Sequence, residues 1–412
     1  GQLLVGVVSD RVWFWGGRRR PFILVGGFLA AMMILALPSI GLISSKLGLD
    51  AVLGVAIAVA LALDLSINVS FNPTRSIITD VTPEGIARTR GYTWMQTVSG
   101  SFGVLAYAIG AFFGNYVLIY FAAGLVLLFS VVPTLLIEEP RVLPGAASAN
   151  EDRGRDHTRL ADLLHLIRPL WAILAYNIIA MALKLAGVRV PGLWLEGACA
   201  VATAWLFWHT LTERSRGAEF ARQDLVDFRK VLAANSLSWI GVQTMFVYMI
   251  AFVQQRFPQF DADRSGRVLS SSFLALSAVA AALPALALLP LARRYDVVKV
   301  HAACLAIMAA GYAGMYFGAH STFALYALMA VLGIGWASIV SLPFSIMSQR
   351  VDQARIGLYM GVFNLSIVLP QLVVSLGIGN FIGRSADKAG IFLICGASLA
   401  LAAVACRSVR GD

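Results

Sequence analysis

The residue with the clearest chemical meaning is Asp64, a carboxylate in the second half of the apolar run at 51–72. If that run crosses a membrane, Asp64 lies near the middle, where a charge is costly unless it is paired or hydrated. Asn68 and Arg75 share its helix face, but Arg75 is about 16 Å away along the axis, too far to pair with it. We predict that Asp64 takes a proton from one side of the membrane and releases it to the other. The alternative is a structural aspartate bonded to a neighbouring helix.

Polar side chains also form stripes on other apolar runs. Asn364 and Gln371 are seven residues apart, which places them on one face of a helix. Amides and hydroxyls both donate and accept hydrogen bonds, so these stripes suit a hydroxyl-rich ligand. The alternative for each stripe is hydrogen bonding to a neighbouring helix. Because the stripes occur in corresponding parts of two halves, we favour a hydrated cavity at the membrane midplane. Its predicted substrate-binding residues are Asn68, Gln96, Ser99, Ser341, Asn364 and Gln371.

Three aromatic residues complete the predicted binding site. Trp239, Tyr248 and Trp336 lie within apolar runs, where a ring can stack on the apolar face of a sugar. Most other tryptophans of the chain lie near the ends of runs, a position typical of the aromatic belt at a membrane interface. We therefore expect a belt role for those and a substrate contact for the three named here.

Composition determines the class of protein in which these residues must act. The chain has 412 residues, of which 59% are apolar and 13% charged, whereas soluble proteins have about 45–50% and about 25%. Its length accommodates about thirteen membrane spans of about 20 apolar residues each. An ordinary soluble protein, a disordered chain, a disulfide scaffold and a DNA-binding domain are all excluded.

The net charge of +10 is explained by arginines concentrated in alternate loops, as the positive-inside rule requires, so no nucleic acid is expected as a partner. The four cysteines lie inside apolar runs and resemble small hydrophobic residues. No metal-ligand spacing, nucleophile elbow or phosphate-binding loop is present in the sequence. We expect no metal, no cofactor and no enzymatic activity.

The apolar runs are apolar on all sides, which favours helices over the alternating strands of an outer-membrane barrel. The predicted fold is an all-α, polytopic membrane helix bundle. Its twelve runs are 21–43, 51–72, 91–112, 116–137, 169–187, 191–211, 233–254, 268–291, 297–318, 322–347, 356–379 and 389–406. The chain starts inside a further run at 1–8 and without a methionine, so we expect helical sequence to precede it.

The two longest polar stretches divide the chain into three predicted regions. They are an N-terminal helix bundle at 1–137, a central cytoplasmic region at 138–232 that includes the runs at 169–187 and 191–211, and a C-terminal bundle at 233–412. A proline before a charged loop and a glycine-led run recurs, with Pro73 before Gly91 and Pro343 before Gly357. This weak internal symmetry is typical of duplicated transporter folds.

Four stretches carry a resemblance to a known family. Residues 6–22, GVVSDRVWFWGGRRRPF, resemble the signature between helices 2 and 3 of the major facilitator superfamily. The GRRRPF ending is similar to the sucrose and maltose proton symporters of its glycoside–pentoside–hexuronide group. Residues 63–80 resemble helix 4 and the following loop of that group, residues 239–248 resemble helix 7, and residues 357–379 resemble helix 11.

The resemblance implies two pseudo-symmetric halves and proton-coupled symport of a sugar, such as the disaccharides maltose or sucrose, by alternating access. It implies a multi-pass protein of the cell membrane, or of the inner membrane in a bacterium, with sugar, protons and the lipid bilayer as partners. Because the family carries its coupling carboxylate on helix 4, it supports that role for Asp64. It also implies a cytoplasmic latch that gates transport. The gating residues would be Asp10, Arg11, Arg18, Arg19, Arg75 and Asp80.

The chain departs from the family pattern at three places. Helix 1 and most of helix 2 do not precede the signature. Met249, Ile250 and Ala251 follow Tyr248, where the plant sucrose carriers have an acidic stretch. The runs at 169–187 and 191–211 have no counterpart in a twelve-helix plan, so we predict fourteen spans in the intact protein.

Two other functions stay open at this stage. One is a sodium-coupled symporter like the melibiose carriers, which usually have additional acidic residues, some of them on helix 2. The other is a membrane receptor that senses sugar without transporting it. Such a receptor could dispense with a coupling carboxylate, and Asp64 is present here.

Overall fold

A computed structural model describes residues 5, 8–9, 12–46, 52–113, 115–139, 160–188, 192–213, 220–378, 382 and 387–409. Among these residues the strand-like pairing is limited to one bridge, between Phe14 and Gly17. The helices are α1 (Arg20–Ala36), α2 (Ile40–Lys46), α3 (Val52–Val81), α4 (Ile86–Phe113), α5 (Asn115–Leu136), α6 (Leu160–Leu166), α7 (Trp171–Leu185), α8 (Trp194–Thr212), α9 (Phe220–Arg256), α10 (Ala262–Leu283), α11 (Leu289–Arg294), α12 (Val297–Gly318), α13 (Thr322–Ser348), α14 (Ile356–Val373) and α15 (Gly390–Cys406). The predicted all-α class is confirmed.

Each of the twelve predicted apolar runs coincides with helix. Within the described residues, eight helical segments are long and apolar enough to cross a membrane. They are Arg20–Lys46, Val117–Leu136, Asp224–Arg256, Arg264–Arg294, Val297–Gly318, Thr322–Ser348, Ile356–Gly377 and Lys388–Cys406. Helices α3 and α4, of 30 and 28 residues, are also long enough to span a membrane. The protein is a multi-pass membrane protein.

The chain divides into two compact units. The first comprises Gly1–Glu84, Phe102–Asp156 and Asp352–Asn364. Within it, α1 packs against α3 and α5. Gly26 lies so close to α3 that an added Cβ would come within 2.8 Å of the Ser66 carbonyl oxygen, and Gly27 similarly faces Ser130 of α5. Small residues let helices approach closely where lipid provides no hydrophobic force between them.

The second unit comprises Gly85–Ser101, His157–Val351 and Leu365–Asp412. Within it, α12 packs against α13 and α15, α9 packs against α15, and α10 packs against α13. Small residues again mark the crossings: Gly333 of α13 faces the Leu276 carbonyl of α10, and Gly241 of α9 faces Leu399 of α15. These contacts position the side chains of α9, α10 and α13 that are described below.

Two helices of the second unit contain a wider π-helical turn next to a proline. One turn covers Pro284–Leu288, after α10, and the other covers Val374–Ile378, after α14 and four residues beyond Pro370. Proline lacks the amide hydrogen that a helix needs and its ring clashes with the preceding turn, while π-helical turns occur frequently at functional sites. Both helices therefore have a built-in break in the segment predicted to cross the membrane.

Candidate functional site

The basic segment that leads into α1 starts with a tight turn. Phe14 and Gly17 exchange two backbone hydrogen bonds, of 3.0 and 3.2 Å. The two central residues, Trp15 and Gly16, have φ angles of 48° and 77°, as a type I′ turn requires. Glycine adopts this conformation without strain. The turn brings Arg18 and Arg19 to the start of α1, where their side chains and backbone amides meet partners from distant parts of the first unit.

Arg19 forms a buried ion pair with Asp80, at the end of α3. The Arg19 Nε donates to Asp80 Oδ2 at 3.1 Å, and both side chains are almost fully buried, with 0% and 1% exposed. Arg18 Nη2 lies 3.6 Å from the same carboxylate. The Arg19 Nη1 also donates to the Ser9 hydroxyl at 2.6 Å. Three of the predicted gating residues are therefore brought together.

The other predicted gating residues lie elsewhere. Asp10 and Arg11 lie outside the described residues. The guanidinium of Arg75 sits 3.7 Å above the ring of Phe71, one helical turn earlier on α3. This is a cation–π contact within one helix.

Sequence reasoning missed Glu139, which caps the N-terminus of α1. Its carboxylate accepts the backbone amides of Arg18, Arg19 and Arg20 at distances of 2.7 to 3.1 Å. The first amides of a helix have no partner inside it and carry partial positive charge, so a carboxylate satisfies both needs. Gly17 makes room for it, because an added Cβ would lie 2.6 Å from Glu139 Oε1. The only signal in the sequence was the acidic pair directly after the run at 116–137.

Asp64 is exposed in the described structure and lies beside Asn68. The Asn68 amide donates both to the Asp64 carboxylate, at 3.0 Å, and to the Asp64 backbone carbonyl, at 2.8 Å. This is an i, i+4 contact along α3 and matches the shared face predicted from the sequence. The carboxylate is thus exposed and oriented by a neutral donor on its own helix.

The second unit brings Trp239 and Trp336 into a cluster with two phenylalanines. The Trp239 and Trp336 rings meet edge to face with centroids 5.6 Å apart, and Phe246 meets Trp336 edge to face at 5.2 Å. Phe273 of α10 stacks on Phe246 at 5.3 Å. We call these four residues the aromatic cluster. Trp239 Nε1 is buried and has no hydrogen-bond partner within the described part of the chain, so the cluster contains a free donor among half-buried rings.

Tyr248 and Ser341, two further predicted substrate residues, already have partners on helices. The Tyr248 hydroxyl donates to the Val374 carbonyl in the π-helical turn after α14, at 3.0 Å. The Ser341 hydroxyl is buried and donates to the Ala337 carbonyl of its own helix at 2.6 Å. In this conformation neither hydroxyl hydrogen is available to a ligand.

The remaining predicted substrate residues lie on α4 and α14. Gln96 is half-buried and Ser99 is exposed on α4, while Asn364 is buried and Gln371 half-buried on α14. Ser366, two residues after Asn364, is fully buried and accepts the Asn235 amide at 2.8 Å. The opposite face of α14 is therefore a packing face against α9.

A polar contact between α4 and α13 was not predicted. The Thr89 and Ser345 hydroxyls are 2.7 Å apart, and the Arg88 Nη1 donates to the Ser348 carbonyl at 3.0 Å. One turn further along, the ring of Tyr92 stacks on Phe344 with centroids 6.0 Å apart. We call these residues the α4–α13 contact. They occupy helix ends that the positive-inside rule assigns to the cytoplasm.

The described residues contain no group of three His, Cys, Asp or Glu side chains able to hold a metal ion.

The sequence profile of the Major Facilitator Superfamily matches residues 1–375, nearly the whole chain. The chain belongs to the Major Facilitator Superfamily.

Individual relatives of this major facilitator are distant. The sucrose transport protein SUC4 of Arabidopsis thaliana is 23% identical over 430 residues, which cover 92% of this chain and 73% of that protein. Among solved structures, the human organic anion transporter MFSD10 matches with a TM-score of 0.64 at 16% identity, over 98% of this chain and 80% of that one. The fucose:proton symporter FucP of E. coli matches with a TM-score of 0.64 at 13% identity, over 100% and 87%. Because these transporters carry different cargoes, the shared fold alone does not determine the substrate.

Proposed function

We propose that this major facilitator moves a sugar, a disaccharide such as maltose or sucrose, together with protons by alternating access. The observation that carries the proposal is the accessible Asp64–Asn68 pair in the middle of α3. Asp64 and Glu196 are the two acidic residues inside the predicted apolar runs. Glu196 is hydrogen-bonded to the Tyr176 hydroxyl near the start of α8, which favours Asp64 as the group that couples transport to protons.

The sugar is recognised by the second unit. The half-buried rings of the aromatic cluster provide flat apolar surfaces for the C–H faces of a sugar ring. Gln371 adds an amide that both donates and accepts. The sucrose transport protein and the fucose symporter among its relatives support a sugar as the substrate class.

Alternating access requires contacts that close one side of the carrier and later break. The α4–α13 contact fits this role, because it includes a pair of hydroxyls, an arginine bond to a carbonyl and a stacked ring pair. Such a contact is polar and modest in strength, about 1 kcal/mol for each neutral hydrogen bond. We propose that it closes the cytoplasmic side and separates when the sugar is released there.

The test is uptake of labelled disaccharides into vesicles that contain the full-length protein, with imposed proton or sodium gradients. We expect accumulation driven by an inward proton gradient. Asp64→Asn keeps the shape and the hydrogen bond from Asn68 but cannot release a proton, so it should still exchange sugar across the membrane without accumulating it. Glu196→Gln, which neutralises the other acidic residue inside the predicted apolar runs, is the matched control and should still accumulate sugar.

Other outcomes would assign another function. Accumulation driven only by sodium would identify a sodium-coupled carrier like the melibiose symporters. Saturable sugar binding with neither exchange nor accumulation would identify a receptor. Proton-driven accumulation by Asp64→Asn at the wild-type rate would refute the role of Asp64 and move the coupling to another carboxylate.

A further inference from the structure

Helices α7 and α8, which have no counterpart in a twelve-helix plan, pack directly on α9 and α14. A buried apolar cluster joins Leu170 and Ile173 at the start of α7, Phe207 of α8, Ala233 of α9 and Leu369 of α14. The hairpin formed by α7 and α8 therefore shares an apolar core with the transport helices. A pair of helices that only anchored the chain in lipid would not need this shared core.

Asn177 of α7 forms a buried hydrogen bond to the backbone of α14. Its Nδ2 donates to the Leu369 carbonyl at 3.0 Å, and the residue is only 5% exposed. Leu369 directly precedes Pro370, which interrupts the hydrogen-bond ladder of α14. The Asn177 Oδ1 has no partner within the described residues, so the contact to α14 depends on the donor alone.

The next contact is at the π-helical turn that follows α14. The Tyr176 hydroxyl lies against Gly377, so closely that any Cβ at this position would overlap it. The Tyr248 hydroxyl of α9 bonds the Val374 carbonyl in the same turn at 3.0 Å. The π-helical turn Val374–Ile378 is thus contacted by both α7 and α9.

Ion pairs also hold the cytoplasmic end of the hairpin against α9. Glu213, just after α8, accepts from the Arg168 Nη2 at 2.6 Å and from the Arg229 Nη2 of α9 at 2.7 Å. Two guanidinium groups that share one carboxylate tie the two ends of the hairpin to the same helix that contacts the break in α14. The hairpin is therefore held at its base and in its middle within the second unit.

We propose that the α7–α8 hairpin is a brace for the broken part of α14, and that Asn177 is a positioning residue for substrate binding. By holding the Leu369 carbonyl, Asn177 keeps the segment 365–378 against α7 and so keeps Gln371 in its binding orientation. This proposal rests on the proposed function for its effect on sugar affinity, but the brace itself is a property of the fold.

The test compares Asn177→Leu with the wild type in the full-length protein. Leucine has nearly the same shape and lacks the donor. Ile178→Leu, at a neighbouring position that is 61% exposed, is the matched control. Amide hydrogen exchange, measured without sugar, should become faster in 365–378 and stay unchanged in α12 and α15. In vesicles, the KM for sugar should rise about three- to tenfold with less than a twofold change in kcat, as expected for one lost positioning hydrogen bond. The control should change neither measurement.

A second variant tests the contact between Tyr176 and the π-helical turn. Gly377→Ala would push Tyr176 away from the π-helical turn, so it should speed exchange in 365–378 in the same way, even if Asn177→Leu fails to fold. Unchanged exchange in the folded variants, or faster exchange throughout the second unit, would overturn the brace. A wild-type protein that transports no sugar would refute the proposed function, while the exchange experiment would still decide the brace.

Discussion

The buried ion pair between Arg19 and Asp80 yields a quantitative prediction about stability. Both side chains are almost fully buried and their atoms meet at 3.1 Å. Asp80→Asn keeps the size of the side chain but removes the charge that Asp80 places beside the Arg19 guanidinium, where both side chains are almost fully buried. Removing one partner of a buried pair typically costs about 3–5 kcal/mol. The exposed Glu138→Gln, in the same unit, should cost no more than about 0.5 kcal/mol.

The assay is reversible unfolding in mixed detergent micelles, followed by tryptophan fluorescence, with the free energy of unfolding obtained from the titration. A double variant tests whether the loss of stability comes from the charge of Arg19. Adding Arg19→Met to Asp80→Asn also removes the buried guanidinium, so the double variant should be more stable than Asp80→Asn alone, since replacing both partners of a buried pair is far less costly than removing one. A loss below about 1 kcal/mol for Asp80→Asn, or a double variant at least as unstable as the single one, would refute this account of the pair.

Three more predictions follow from close contacts. Gly17→Ala should lower the melting temperature, because the new Cβ would lie 2.6 Å from Glu139 Oε1. Gly41→Ala should leave the melting temperature unchanged, because a Cβ at that position meets no atom within 4 Å. Thermal unfolding in detergent measures both variants. Trp336→Ala should weaken sugar binding by about three- to tenfold through lost ring stacking, and Trp94→Ala, 50% exposed, should leave calorimetric affinity unchanged. Thr89→Val removes one hydroxyl bond of the α4–α13 contact, worth about 1 kcal/mol, so the cytoplasmic side should open more often. A reagent added on the cytoplasmic side should then label a cysteine introduced into the predicted cavity about fivefold faster. Equal labelling rates in the variant and the wild type would count against this contact as a gate.

Local features of the site were largely predictable. The Asp64–Asn68 contact follows from a spacing of four residues on a helix, and the structure has it at 3.0 Å. The resemblance to the superfamily singled out Arg18, Arg19 and Asp80, and the structure brings them together. In each of these cases either one helix or a family motif carried the information.

Contacts between distant segments were not predictable. Glu139 lies 121 residues from Arg18, and Thr89 lies 256 residues from Ser345. Trp239 and Trp336 were both named from the sequence, but their mutual contact, and its extension to Phe246 and Phe273, depends on how α9, α10 and α13 cross. The packing of the α7–α8 hairpin against α14 was also not predictable, because nothing in the runs at 169–187 and 191–211 distinguishes a lipid-facing helix from one packed against other helices.

Composition and pattern are enough to predict an all-α, multi-pass membrane protein, because 59% apolar residues in runs that are apolar on all sides are accommodated in a membrane by helices that satisfy their own backbone. The sequence also determined the superfamily. Which faces of those helices meet is known from their packing in the fold. In a soluble helix the apolar stripe marks the buried face, whereas a membrane helix is apolar on all sides and its contacts depend on small residues and a few polar bonds. Shape complementarity between distant helices therefore placed Glu139 under α1, Ser345 beside Thr89 and Asn177 at the break in α14.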